Sequence, residues 1–498
     1  MAWPFFGKKH KPVKSYKRGF SAAAINRLTA SMVTKSQAVD WDLRLSLEIL
    51  RSRSRSLCVN NDYAKKFLQM VSAHVVGPSG FNLVCRAGDY DAKGAFVVDA
   101  IDSRAIEDAF YKWAKRGNCD VTGMHSFFDV CNMYIKAVAR DGEVLIKKVR
   151  GTNAGPFGFQ LQVLDVDRLD HLKNEELSNG NIIKMGVEIN SYGKPVAYHI
   201  RSKHPGENPY GNYTASKIER VPAEDIYHHF IAERPEQNRG IPWMHSAILR
   251  LTHLNGYEEA AIIAARVGAS KMGIITSPDG DGSPLATDTD DQGNLIDEVD
   301  PGKFSVLPQG YEFTPFNPDY PHAMFAEFVK STLRGVASGL GVSYNTISND
   351  LEGVNFSSIR TGVLEERDNW MVIQNWMIEK FLDDVYTEWL RMALLMGAIK
   401  TPRGFALPAS KFDKFNRATW NGRRWQWVDP VKDIDANVTA INNGLKSRAQ
   451  VIAEQGRDID DVMQALAEEQ KKITELGISV ASPNPQPQAA QNGGGENV

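Results

Sequence analysis

Apolar residues between positions 42 and 74 recur every three to four residues. Leu43, Leu47 and Leu50 are followed by Leu57, Tyr63, Phe67, Met70 and Val71. That spacing predicts helix, and Gly77-Pro78 stops it. Residues 103–113 and 124–140 read as two more helices. The period then changes. Residues 143–150, 159–166, 182–189 and 195–200 are rich in β-formers, with turns at Asp141-Gly142 and Tyr192-Gly193. Residues 141–230 therefore read as a small, mostly antiparallel β module.

Helical spacing returns at 242–270. Pro242 suits a first turn, and apolar residues at 244, 247, 248, 251, 254, 257, 261, 264 and 267 share one face. Such a helix would span about 43 Å. Residues 272–320 are dense in Pro, Gly and Asp, with short β pieces at 273–276, 303–307 and 312–316. A second helix covers 322–340. A polar loop follows at 346–356, and a third helix, with room for a kink, runs from 357 to 396. Aromatic and basic residues then cluster from Phe412 to Trp427. Residues 433–476 read as two or three short helices. The tail from Ser482 is rich in Pro, Gln and Gly and is expected to be disordered. The fold class is α+β, without internal repeats.

Composition narrows the function. At 498 residues the chain has room for about two to four domains. Its net charge of −2 argues against a chain that binds nucleic acid tightly as a whole. Residues 1–60 are the exception, with twelve Lys or Arg against three acids. They form either a phosphate-contacting arm or a solvated one. Cysteines 58, 85, 119 and 131 match no zinc spacing and are expected to be reduced, buried thiols. No stretch approaches the roughly 20 apolar residues of a membrane span, and the N-terminus has no apolar run of signal-peptide length. Residence in the cytoplasm after synthesis is expected.

Catalytic motifs are weak. No nucleotide-binding G-x-x-x-x-G-K, no G-x-S-x-G and no G-x-G-x-x-G occurs. Asp288-x-Asp290-x-x-Gly293 has Val299 where a calcium loop needs a bidentate Glu, so an acidic solvated loop is the better reading. Asp225, His228, His229 and Glu233 are close in sequence, but adjacent histidines on a strand point apart. Arg51-x-Arg53-x-Arg55 reads as a solvated helix face or, alternatively, a phosphate or partner contact. Trp420, Trp425 and Trp427 read as a packed corner before a base-stacking platform.

The order of elements carries more than any motif. An α/β body is followed by a long helix, a Pro/Gly-rich module, a second helix, a polar loop and a third helix. That order, and the runs RSRSRSLCVNNDYAKKF (51–67), LQVLDVDRLD (161–170), GVEINSYGKPVAYHI (186–200), VPAEDIYHHFIAERPEQNRGIPWMHSAILRL (221–251), NFSSIRTGVLEERDNW (355–370) and WNGRRWQWVDPVKDIDA (420–436), resemble the lambda-type portal proteins of tailed bacteriophages. The resemblance covers roughly residues 40–470.

It implies a portal fold assembled as a ring. The divisions would be a basic arm (1–40), a wing (41–238), a first stem helix (239–271), a clip (272–320) and a second stem helix (321–345). A tunnel loop (346–356), a long wing helix with the aromatic segment (357–429), a crown (430–477) and a tail (478–498) would follow. About twelve copies would surround a channel at a capsid vertex. Implied partners are double-stranded DNA, read without sequence preference, the terminase large subunit, a head-completion or adaptor protein, and the major capsid and scaffolding proteins. No membrane, cofactor, metal or enzymatic activity is implied. Asn349, Asp350, Glu352 and Asn355 would line the tunnel, Lys330 and Arg334 would form weak positive rings, and Leu251 and Leu254 would pack the stem. Asp279, Asp281, Asp288, Asp290 and Asp291 would belong to the docking surface of the clip. A channel must not hold DNA tightly, because each neutralised phosphate adds affinity; the near-zero net charge suits that. Competing classes are another ring-forming virion connector or tail component, and a cytoplasmic hydrolase built on His228 and His229.

Overall fold

The helical repeat at 42–74 is two helices, α1 (Val39–Asn60) and α2 (Asp62–Val75). Asn61 between them is extended, and its side chain accepts a hydrogen bond from the Ala64 amide at 3.0 Å. Asn favours this capping geometry over a helix interior. Apolar spacing continues across the break although the two helices serve different clusters: Val39, Leu43 and Leu47 of α1 pack with Met185, whereas Phe67, Met70 and Val71 of α2 enter the main core.

The computed structural model describes residues 23–477, apart from 24, 26, 28, 208–216, 270–272, 277–287, 290–294, 297–311, 316–323, 353–355, 426–429, 456 and 458. After α2 come β1 (Asn82–Cys85) and a hairpin of β2 (Gly88–Tyr90) and β3 (Phe96–Val98). Two helices follow, α3 (Ala100–Trp113) and α4 (Phe127–Asp141), the second opened by a reciprocal Ser126–Asp129 capping box. Gly142 ends α4 at φ +90°. A Cβ there would lie 2.5 Å from the Ile241 carbonyl carbon, so only glycine lets this turn pass the segment that leads into the next long helix.

β4 (Glu143–Arg150) is the middle strand of an antiparallel sheet, between β5 (Phe159–Leu164) and a strand at Ile226–Phe230. A second, five-stranded sheet is built from β6 (Glu175–Glu176), β7 (Ile182–Lys184), β8 (Val187–Ile189), β9 (Pro195–Arg201) and β10 (Ile218–Pro222), in sequence order; Ile226–Phe230 is β11. The single strand expected at 182–189 is thus a hairpin. It turns at Met185 and Gly186, both at positive φ, where a Cβ on Gly186 would crowd the Asp170 carbonyl oxygen at 2.7 Å.

The helix expected from 242 starts later, as α5 (Ile248–Ala269). Residues 242–247 form turns, and the Trp243 amide donates to the Ala139 carbonyl at 3.0 Å. Beyond α5, β12 (Gly273–Thr276) pairs with β15 (Glu312–Pro315), and β13 (Asp288–Thr289) with β14 (Leu295–Ile296). The β piece expected at 303–307 lies outside the described residues. Then come α6 (Phe325–Leu340), a short α7 (Tyr344–Ser348) and α8 (Phe356–Met377). A π turn at Ile378–Leu382 joins α8 to α9 (Asp383–Leu395), which accounts for the irregularity allowed for in the third helix. A one-turn α10 (Phe412–Phe415) precedes β16 (Ala418–Asn421), which returns to pair with β1. Three helices close the described chain: α11 (Pro430–Asn442), α12 (Arg448–Glu454) and α13 (Ile459–Leu476).

β4 separates two cores by its period of two. Val144 and Ile146 face the larger one, which holds Phe67, Phe110, Trp113, Tyr134, Phe381 and Trp389. Leu145 faces the smaller one, with Val187, Tyr198, Ile200 and Ile226. Trp420 is buried against Phe110, ring centroids 5.5 Å apart, so this tryptophan is packing. All four cysteines are free. Burial pushes the thiols of Cys58 and Cys85 up to about 11 and that of Cys119 to about 12. No helix among the described residues is long and apolar enough to cross a membrane.

Glu188 ties the five-stranded sheet together. Its carboxylate accepts from Arg220 at 2.7 and 3.0 Å, from Asn181 at 2.8 Å, and meets His199 at 3.3 Å. The Arg220 hydrogen bonds, aided by those from Asn181 and His199, bring the carboxyl down to about 2 against burial. A depressed carboxyl stabilises the fold above its ordinary value of 4.5 and loses that contribution as pH falls through about 2. Denaturant midpoints should therefore fall between pH 4.5 and 2, and Glu188→Gln should flatten that slope while lowering the midpoint at neutral pH.

Candidate functional site

The segment from Gly341 to Phe356 joins α6 to α8, and its first half is folded rather than loose. α6 ends in a Schellman turn: Gly341 sits at φ +67°, the Val342 amide donates to the Ala337 carbonyl at 3.1 Å, and the Gly341 amide to Ser338 at 3.3 Å. Ser343 caps α7 by accepting from the Thr346 amide at 3.3 Å. Ile347 is buried. The expected loop start at 346 therefore falls inside a helical turn.

Glu366, one-sixteenth exposed on α8, anchors this turn. It accepts from the Ser343 amide at 3.2 Å, the Thr346 hydroxyl at 2.9 Å and the Trp370 indole at 3.1 Å. Tyr344 donates its hydroxyl to Asp350 at 2.8 Å, and the Lys330 ammonium lies 3.4 Å from the same carboxylate. The Tyr344 hydrogen bond, with help from Lys330, holds the Asp350 carboxyl below its ordinary value. Arg334 lies over the Tyr344 ring at 5.6 Å. Asn349 takes a left-handed φ of +55°, as Asn tolerates. Beyond it Leu351 and Glu352 are exposed. Asn355 lies outside the described residues.

Of the residues singled out in this region, Asp350, Lys330 and Arg334 are thus brought together around Tyr344. The Lys330 and Asp350 charges offset each other inside the subunit, so Lys330 is not an isolated cation. The anchors Ser343, Thr346 and Glu366 were not singled out from sequence. Ser343-x-x-Thr346 was the available signal for a capped turn; Glu366, twenty residues on, left none.

The other candidates resolve into structure. Of the three arginines, Arg53 is exposed, as a solvated helix face expects, whereas Arg51 and Arg55 are taken up by carboxylates of the same subunit. Arg51 is buried and bonds Glu143, the Asp141 carbonyl at 3.0 Å and Asp167 at 3.3 Å. Arg55 reaches Asp141 at 2.7 Å, Asp165 at 3.0 Å and Asp167 at 2.5 Å. Glu143 also holds Arg239 at 2.6 Å, His228 at 3.0 Å and the Gly240 amide at 2.7 Å. Burial alone would push the Glu143 carboxyl up; the charges of Arg239 and Arg51 outweigh it and hold it well below the usual range. His229 points to the opposite face and meets the Tyr134 hydroxyl at 3.0 Å; burial, with the charges of His228, Lys148 and Lys380, pushes it down to about 3. Asp225 pairs with Arg150. The two histidines therefore sit on opposite sides of β11 in packed surroundings. Asp165, Asp167 and His204 lie close enough to share an ion, but Arg55 already occupies both carboxylates. Asp288 is in β13, whereas Asp279, Asp281, Asp290 and Asp291 lie outside the described residues. Leu251 and Leu254 are fully buried within the subunit.

The family model described as phage portal protein, lambda family, matches residues 26–374. The chain belongs to the lambda family of phage portal proteins. It is 36% identical over 508 residues to the probable portal protein of Halomonas phage phiHAP-1, covering 99% of this chain and 94% of that relative. It is 22% identical over 468 residues to portal protein B of Escherichia phage lambda, covering 86% of this chain and 84% of that one. Among solved structures it is similar to a chain in the virion of a native gene transfer agent particle, with a TM-score of 0.42, 13% identity, and coverage of 83% of this chain and 98% of that chain. A second similarity is to a chain in the neck of such a particle computed with C12 symmetry, at a TM-score of 0.38 and 13% identity over 81% of this chain and 93% of that one. The matched span of the family runs through both sheets, α5, α6, the Tyr344–Asp350 turn and α8. The role is that of a portal protein, a structural component of the virion.

Proposed function

We propose that about twelve copies of this chain form a ring around a channel for double-stranded DNA at a capsid vertex. α5 and α6 are the stem, the module at 272–320 is the clip, 430–477 is the crown, and the α/β body with α8 and α9 is the wing. The clip receives the terminase large subunit during packaging and a head-completion or adaptor protein afterwards; the body meets the major capsid and scaffolding proteins. Assembly takes place in the host cytoplasm. ATP hydrolysis belongs to the terminase, so the portal supplies no catalysis of its own.

The observation that carries the channel reading is the connection between α6 and α8. Glu366 and the Schellman turn fix its base, while Leu351 and Glu352 stand exposed at its tip. A fixed base with an exposed tip can touch a moving duplex without disturbing the subunit. The Lys330–Asp350 pair removes one cation per copy, which keeps contact with phosphate weak across the ring. Contact is with the backbone, since packaging accepts any sequence. Asn349, Asp350, Glu352 and Asn355 mark the narrowest part of the channel.

Replacing residues 351–355 with a Gly/Ser segment of equal length tests this, because it spares the Glu366 anchor. Rings should form normally by negative-stain imaging, and the yield of DNA-filled heads should drop several-fold. Full-length genomes packaged and retained at the normal rate would make the segment a surface connection only.

A further inference from the structure

Of the arginines at 51, 53 and 55 on α1, the outer two bond carboxylates of their own subunit. Arg53 is exposed and forms no ion pair among the described residues. It lines a cleft of about 250 Å³ between the C-terminal half of α1 and the first turns of α5. Asn61, only 4% exposed, lines the same cleft. Its side-chain oxygen accepts from the Ala64 amide at 3.0 Å, while its amide nitrogen donates to nothing among the described residues. Asn255 on α5 lines the other side, and its side chain has no hydrogen-bond partner among the described residues either. Leu57 and Ile248 supply the apolar part, and no Asp or Glu is among the described lining residues. The Tyr63 hydroxyl donates to Glu258 at 3.0 Å and holds α5 to the α1–α2 corner beside the cleft.

The cleft therefore offers one guanidinium fork and unpaired amide donors, and holds no negative charge of its own. A carboxylate satisfies such a set, because the fork binds its two oxygens together. The volume is below the roughly 300–1,000 Å³ of small-molecule pockets, so it has room for a side chain or two and not for a nucleotide. A duplex is held by several cations at once, since affinity grows with each phosphate neutralised. Here a single arginine stands near Asp62, Glu258 and Glu259, the last two one turn beyond Asn255. We propose that the α1–α5 cleft is a docking site for an acidic segment of a partner polypeptide, with an Asp or Glu side chain seated on Arg53, Asn61 and Asn255 and its aliphatic part on Leu57 and Ile248.

Saturation-transfer NMR titrations of an acetylated tetraglutamate peptide against the purified full chain test this. Arg53 and Asn255 are exposed, so Arg53→Gln and Asn255→Asp should fold, and thermal unfolding checks that they do. Arg53→Gln should weaken the peptide at least about tenfold, the worth of a charge-assisted hydrogen bond. Arg53→Lys should fall between, for want of the fork, and Asn255→Asp should also weaken the peptide, by putting a carboxylate beside Arg53. Binding of a short DNA duplex should be the same in all four proteins. Equal peptide affinity for the unaltered chain and Arg53→Gln, or no binding by the unaltered chain, would overturn the proposal. A duplex that loses affinity in Arg53→Gln as strongly as the peptide would make the cleft a phosphate site instead. Peptide bound by dissociated subunits but excluded from rings would show the cleft closed by a neighbouring copy, which also overturns it.

Discussion

Replacing Glu143 with Ala is expected to destabilise the subunit by about 3–5 kcal/mol, because it breaks a buried ion network from its centre. Arg51 and Arg239 are 2% and 0% exposed, and both bond the Glu143 carboxylate. Arg51 would keep Asp167 and the Asp141 carbonyl. Arg239 would keep only the Met185 and Leu169 carbonyls, at 2.6 and 3.3 Å. A guanidinium without a counter-charge in that place carries an uncompensated desolvation penalty. The loss reaches beyond the sheet, since Gly240 donates to the same carboxylate eight residues before α5 begins. Chemical denaturation followed by tryptophan fluorescence reads the change directly. A midpoint within about 1 kcal/mol of the unaltered protein would show that the network contributes little, as buried ion pairs sometimes do. The double variant Glu143→Leu/Arg239→Met should be less damaging than Glu143→Ala, because it removes both charges together.

Leu251→Asp is expected to abolish the folded subunit, and the ring through it. Leu251 is fully buried and belongs to the same core as Phe67, Trp113 and Trp389. Losing a buried leucine side chain costs about 2–5 kcal/mol. The new carboxyl must in addition stay protonated or draw in water. Together these approach the whole stability of a domain, about 5–15 kcal/mol. Leu249→Asp is the control: Leu249 lies two residues away on the same helix but is 63% exposed. It should leave thermal unfolding of the subunit nearly unchanged. A Leu251→Asp protein that melts normally yet forms no rings would move Leu251 from the subunit core to a contact between copies.

The sequence by itself determined what depends on periodicity and on strong local signals. β4 could be read at 143–150 because a run of β-formers behind the Asp141-Gly142 turn is a local property, and α3 and α4 because apolar spacing is as well. The order of long helix, Pro/Gly-rich module, helix, polar loop and helix was legible for the same reason, and with it the family. Tertiary structure decided what depends on who faces whom. The break at Asn61, the hairpin at Met185-Gly186 and the late start of α5 all replace a continuous apolar pattern with a turn. A run of apolar residues reports burial but not chain direction, so such turns leave little trace in it. The same limit applies to charge. Arg51, Arg55 and Arg239 look like surface residues in sequence, since isolated charge is costly to bury; only the fold brings Glu143, Asp141 and Asp167, 86 to 116 positions away, close enough to offset that cost. Glu366 anchors the Ser343–Thr346 turn for the same reason: a hydrogen bond formed across a loop depends on distance in space, which residue spacing along the chain does not encode.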